Sequence, residues 1–162
     1  MASGAWVFAY GSNADLRDLG RWFAARGLPP GRIDEDDARV AALREHRLVW
    51  NYHSVARDGG AANVEPAAGH AVYGLALRVD AVALAGLDVK EGHPERYRRS
   101  QRELASCGGS LAAWVYRVTP AFVRAAPVWP RRAYIELMIR AGERHGYPEW
   151  YVERLRRTPT LD

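Results

Sequence analysis

Between Ala38 and Val118, clusters of turn-forming residues cut the chain into short apolar runs, and that rhythm constrains the fold more than any other feature. Ala38–Leu43, Arg47–Tyr52, Ala61–Glu65 and His70–Val79 read as strands. Arg44-Glu45-His46, Arg57-Asp58-Gly59-Gly60 and Pro66-Ala67-Ala68-Gly69 separate them as turns. Tyr97–Ala105 and Leu111–Val118 flank Cys107-Gly108-Gly109-Ser110 and read as a hairpin. Strands this close in sequence pair antiparallel, because a parallel neighbour needs a crossover of about a dozen residues or more.

Helical periodicity is confined to the stretches around this centre. Ala5–Tyr10 is a leading buried strand, and Gly11-Ser12-Asn13 turns the chain. Asp15–Arg26 then places Leu16, Leu19, Trp22 and Phe23 at helical spacing, with Gly27 as the stop. Asp80 caps a short helix running to about Lys90, which Gly92 ends. Arg132–His145 sets Ile135, Met138 and Ile139 on one face and stops at Gly146, and Glu149–Arg157 follows Pro148. With no βαβ alternation, repeat or low-complexity stretch, the expectation is one α+β domain over residues 1–162. Its sheet is curved or barrel-like, and its helices are peripheral.

Composition narrows the function classes. The chain is 48% hydrophobic and 26% charged, as ordinary globular proteins are. No apolar run approaches the roughly 20 residues that cross a bilayer. The N-terminal Met1-Ala2-Ser3-Gly4 lacks a basic, then apolar, secretory signal, so a cytoplasmic protein is expected. Cys107, the single cysteine, has no His or Lys nearby in sequence to activate it and reads as a turn residue. The five histidines form no metal-ligand spacing, so no metal is expected. The net charge of +4 raises a nucleic-acid reading, but the cations are spread along the chain and suit a solvated surface or a small anion better. Lys90 is the only lysine among 23 Lys and Arg residues.

Two segments carry chemistry. In Phe8-Ala9-Tyr10-Gly11-Ser12-Asn13 a strand runs into a turn and a helix, which delivers backbone N–H groups and a positive helix end to one point. Gly11 would admit close approach to the backbone and Ser12 adds a hydroxyl. Alternatively, Ser12 or Asn13 only caps the helix. In Leu87-Asp88-Val89-Lys90-Glu91-Gly92, Glu91 falls in the last helical turn, where the dipole disfavours negative charge and suits a proton-exchanging carboxyl. The competing reading is a surface glutamate beside Lys90.

Taken together, the Tyr10–Asn13 loop, the Asn51-x-x-Ser54 strand and Leu87-Asp88-x-x-Glu91-Gly92 resemble the γ-glutamylcyclotransferase-like family. The segment with Tyr134, Gly142, His145-Gly146 and Pro148 is similar to the tail of bacterial members, so the likeness runs from Tyr10 to about Leu155. The family implies a small mixed barrel, an acid/base glutamate at Glu91 and a substrate-holding loop at Tyr10, Gly11, Ser12 and Asn13. It implies no cofactor. Asn63, Tyr97 and Tyr134 are further pocket candidates, with Arg96 standing where the family often has glycine before Tyr97.

The implied activity is cyclisation of a γ-glutamyl amide to 5-oxoproline, in which the substrate's own α-amine displaces the attached amine. Such a reaction needs orientation and proton movement rather than a protein nucleophile. Expected partners are a small γ-glutamyl substrate, with no nucleic acid and no membrane, for a monomer or homodimer. A non-catalytic small-anion binder on the same fold and a basic nucleic-acid binder are the other readings.

Overall fold

A computed structural model describes residues 4–162. Met1–Ser3, where part of the reading of the N-terminus falls, lie outside the described residues. The leading strand β1 (Ala5–Ala9) passes through a 3-10 turn at Ser12–Ala14 into α1 (Leu16–Ala25). Two long strands follow, β2 (Ile33–Val49) and β5 (Asn63–Val79), with the two-residue strands β3 (His53–Ser54) and β4 (Gly59–Gly60) paired between them. Helix α2 (Ala81–Glu91) leads to the hairpin of β6 (Tyr97–Ser106) and β7 (Gly109–Val118), and α3 (Arg132–His145) and α4 (Glu149–Arg156) complete the chain.

The main strands close into a barrel in the order β1-β5-β2-β6-β7. Neighbours are antiparallel except at the closure, where β1 lies parallel to β7 with Val7 opposite Trp114. The expected α+β barrel is thus the observed one. Closure leaves the main sheet no free edge to pair with another chain.

The four short strands expected between Ala38 and Val79 are two strands of 17 residues each. Arg44-Glu45-His46 and Pro66–Gly69 do not end strands. They face one another across the β2–β5 ladder, where the register jumps from Arg44 opposite Ala71 to His46 opposite Pro66. Glu45 takes a left-handed φ of 57° and Gly69 one of 78°, and the Glu45 carboxylate accepts the Gly69 N–H at 2.9 Å. Turn chemistry on both strands at one level makes a shared bulge that bends the ladder instead of cutting it. Residues 33–37, ahead of the strands expected from Ala38 onward, are also strand.

Helix α1 buries Leu19 and Phe23. A Cβ on Gly86 of α2 would sit 2.8 Å from the Phe23 ring, so that glycine lets the two helices meet. Asp80 caps α2 by accepting the Ala83 N–H at 2.8 Å, and Gly92 closes it in the left-handed region at φ 65°. Asp88 ties the same helix to the hairpin, accepting from Arg99 Nε at 2.8 Å and from Tyr116 Oη at 2.6 Å. Burial works against its charge, yet these two donors hold its carboxyl below the usual range, so Asp88 is an ionised anchor. Cys107 is exposed at the tip of the β6–β7 turn. Among the described residues no helix is long and apolar enough to cross a membrane.

Candidate active site

Where the end of β1 meets the C-terminal end of α2, the barrel opens into a cavity of about 260 Å³. Tyr10, Gly11, Ser12 and Asn13 form one wall and Lys90 with Glu91 another; Arg57, Tyr97, Tyr116 and Tyr134 also line it. The structure therefore brings the two chemical segments, some 78 positions apart in the chain, onto one another. Asn13 Nδ2 donates to Glu91 Oε1 at 2.7 Å, and Lys90 Nζ donates to Asn13 Oδ1. An ammonium only donates, so it fixes which end of the Asn13 amide faces Glu91.

Neither Ser12 nor Asn13 caps α1. Asp15 does so, its side chain accepting the Asp18 N–H at 2.9 Å. The helix end is thus satisfied internally, and the N–H groups of Ala14 and Asp15 close the 3-10 turn on Gly11 and Ser12. Ser12 and Asn13, neither of them capping α1, both line the cavity.

Gly11 is required for a different reason from the expected one. Its φ of −112° is open to any residue, and a Cβ there would meet Tyr134 Oη at 2.9 Å and the Ala62 methyl at 3.3 Å. The close approach is to a tyrosine wall. Tyr134 Oη accepts the Ala62 N–H at 3.0 Å, Tyr97 Oη donates to the Ala62 carbonyl at 2.8 Å, and Tyr10 Oη donates to the Tyr116 carbonyl at 2.6 Å. Burial pushes the hydroxyls of Tyr10, Tyr97, Tyr116 and Tyr134 up from their ordinary value, and the Glu91 charge adds to each shift. They stay neutral and hold the wall together, and none is available as a base.

Asn63, expected as a pocket candidate, does not line the cavity. It is buried between strands, donating to Asn51 Oδ1 at 2.9 Å and accepting the Val118 N–H at 3.0 Å. Both ends of its amide are consumed, the oxygen tying β5 to β7 and the N–H holding Asn51 just after β2. Of the Asn51-x-x-Ser54 pair, Ser54 reaches the cavity while Asn51 holds Asn63.

Glu91 is the sole carboxylate lining the cavity among the described residues, and it is half-buried against Asn13. The other expectation was a surface glutamate beside Lys90; Glu91 is partly exposed and bonds Asn13. Lys90 itself was missed as a site residue. Burial, partly offset by the Glu91 charge, pulls its ammonium down to about 8. Its signal in the sequence was its uniqueness in a chain otherwise built on arginine. Arg57 was missed too: it lies over the Tyr134 ring at 5.5 Å and bonds Asp18 at 2.7 Å. No local pattern marks it, because its partners come from α1 and α3.

The fold and the site define a class: a closed-barrel α+β protein whose cavity holds one carboxylate among neutral tyrosines. A family described as "Gamma-glutamyl cyclotransferase, AIG2-like" matches residues 7–135, and the chain belongs to it. A solved structure titled "Gamma-glutamyl cyclotransferase" superposes with a TM-score of 0.80 at 21% identity, covering 99% of this chain and 90% of that one. A human protein described as uncharacterized gives 0.78 at 22% identity, covering 98% and 90%. A yeast γ-glutamylcyclotransferase described as specific to glutathione gives 0.63 at 14% identity, covering 94% of each. At such identities these likenesses speak to the fold. Comparison with curated protein sequences finds no match.

Proposed function

We propose that the protein is a γ-glutamylcyclotransferase that converts a γ-glutamyl amide to 5-oxoproline and the free amine. The observation that carries this reading is Glu91, the lone cavity carboxylate among the described residues, with one oxygen held by the Asn13 amide and the surrounding tyrosines un-ionised.

Glu91 takes a proton from the substrate's α-ammonium. The freed amine attacks the γ-carbonyl and closes a five-membered lactam. As the γ-carbon–nitrogen bond breaks, protonated Glu91 gives that proton to the leaving nitrogen. It then takes the second proton from the ring nitrogen and passes it to the departing amine, which leaves as an ammonium. No water is consumed and no bond to the enzyme forms. Nucleophile and electrophile belong to one molecule, so the cavity's main contribution is to hold the chain folded, which is worth up to roughly 7–11 kcal/mol. Asn13 leaves the second oxygen of Glu91 free for the amine. Ser12, which lines the cavity, donates its hydroxyl to the γ-carbonyl oxygen as its charge grows.

The test is product analysis in ¹⁸O-water across γ-glutamyl amino acids, peptides and amines, with wild type and Glu91→Gln. The expected outcome is unlabelled 5-oxoproline plus amine, with turnover lost by about 1,000-fold or more in the variant and little change in its Tm. Labelled glutamate, turnover of an α-N-acylated substrate, or an active Glu91→Gln variant would each defeat the reading. Tight binding of γ-glutamyl compounds without turnover would favour a non-catalytic binder.

A further inference from the structure

Lys90 is the one strongly placed group that the cyclisation leaves unused. It is half-buried, lines the cavity, and its ammonium has three donors, of which one goes to a neutral amide oxygen on Asn13. Among the described residues it makes no ion pair. A charge withdrawn from water in this way calls for a counter-ion.

The other cavity cations are engaged or peripheral. Arg57 is held by Asp18 at 2.7 Å. Arg26 is exposed and stacks its guanidinium 4.1 Å from the Trp22 ring centre. Arg96 is exposed and packs against Gly92. Of the cations, only Lys90 sits beside Glu91 with an unmet charge.

We propose that Lys90 is the counter-charge for the α-carboxylate of the γ-glutamyl head, a binding residue that makes the cavity complementary to a zwitterion; this rests on the reaction proposed above. The charge balance supports it at each stage. Before reaction, Glu91 faces the α-ammonium and Lys90 the α-carboxylate. After Glu91 takes the proton, Lys90 and the α-carboxylate still neutralise each other. Without Lys90 the substrate's carboxylate would enter a cavity that holds Glu91 and, for cations, only guanidiniums already bonded to Asp18 or exposed at the rim. If Lys90 holds the α-carboxylate, the Ser12 hydroxyl is left for the γ-carbonyl.

The groups facing the ammonium set its titration. Glu91 on its own helix and Asp18 on α1 favour the charged form, while Arg57 from the β3–β4 loop and Arg26 at the end of α1 oppose it. Burial dominates and brings it to about 8, so it is charged at neutral pH and gains most from an arriving anion. That dependence is directly readable, because the chain has a single lysine and [¹³C]lysine labelling gives one side-chain signal.

The experiment titrates that signal in the protein alone, with L-glutamine, and with 4-aminobutanamide, the same amide without its α-carboxylate. L-Glutamine is expected to raise the midpoint by about one unit or more, as an opposite charge within contact range does, and 4-aminobutanamide to leave it in place. In parallel, Lys90→Gln is expected to raise KM about 10- to 100-fold with kcat within about threefold. Lys90→Arg, which keeps the charge, is expected to recover part of that loss and to lack the alkaline fall in kcat/KM near pH 8. A midpoint unmoved by L-glutamine at tens of millimolar, an equal shift with 4-aminobutanamide, or a kcat loss at unchanged KM overturns the proposal. Absence of 5-oxoproline in the wild-type assay sinks the cyclisation alone, since the lysine signal reports carboxylate recognition without turnover.

Discussion

Replacing Gly11 with alanine tests whether the loop is shaped by its wall or by its ligand. The new methyl would lie 2.9 Å from Tyr134 Oη and 3.3 Å from the Ala62 methyl, and the first of these contacts forces something to move. The Tyr134 ring cannot retreat freely. It stands edge-on to Trp50 at 5.8 Å, carries Arg57 on a face at 5.5 Å, and its hydroxyl is committed to the Ala62 N–H. Overpacking of this kind costs about 1–3 kcal/mol, and weakening the Ala62 hydrogen bond adds about 0.5–1.5. Gly11→Ala should therefore lose about 2–3 kcal/mol. Tyr134→Phe removes the hydroxyl, leaves the Ala62 N–H unpaired at about 1–3 kcal/mol, and opens the space the methyl needs. In that background Gly11→Ala should cost under about 1 kcal/mol, a coupling of about 1.5–2 kcal/mol. Denaturant unfolding of the four proteins, compared at constant m, measures this directly. Effects additive within about 0.5 kcal/mol, or a Gly11→Ala protein as stable as wild type but inactive, would refute the steric account and return Gly11 to a ligand-approach role.

Ser12→Ala should leave stability within about 0.5 kcal/mol, because Asp15 and not Ser12 caps α1. In steady-state assays it should lower kcat by about 10- to 100-fold with KM little changed, and a rise in KM alone would place the hydroxyl on the substrate's ground state instead. Lys90→Met should raise stability at pH 7 by about 1–3 kcal/mol, since the folded ammonium titrates at about 8 against 10.5 unperturbed and each unit is worth 1.36 kcal/mol. The unfolded chain keeps that proton to higher pH, so wild type regains stability from pH 8 to 10.5 and the variant's advantage shrinks over that window; a constant difference across it counts against the burial of Lys90.

What was legible in the sequence was what is coded locally. Gly92 closes α2 because only a left-handed residue ends a helix that way, and the same signal put Glu91 in the last turn. Asp80, Gly146 and the Cys107-Gly108 turn were readable on the same grounds. What was not legible depends on which segment lies opposite. Arg44–His46 and Pro66–Gly69 each carry turn chemistry, and nothing local says that they oppose one another and merge into a bulge. Gly11 answers to Tyr134, more than a hundred positions away, and Asn63 answers to Val118 and Asn51. A polar residue near a motif was read as pocket, whereas burial between strands demanded its amide for the sheet.

Why an asparagine sits at position 13 follows from the helix that opposes it. Lys90 and Glu91 are consecutive on α2, and consecutive helical residues diverge by about 100°, so their charged ends do not face each other. A direct ion pair would have quenched both groups. Instead the Asn13 amide spans the gap, its oxygen taking the ammonium and its N–H the carboxylate. Aspartate at that position would offer only acceptors and set a second negative charge against Glu91, and serine would be too short to reach both sides. The bridge holds the two groups apart in a fixed geometry while leaving donors on one and an acceptor oxygen on the other unspent. A cavity arranged in that way would suit the substrate proposed above, whose head carries an ammonium and a carboxylate on the same carbon.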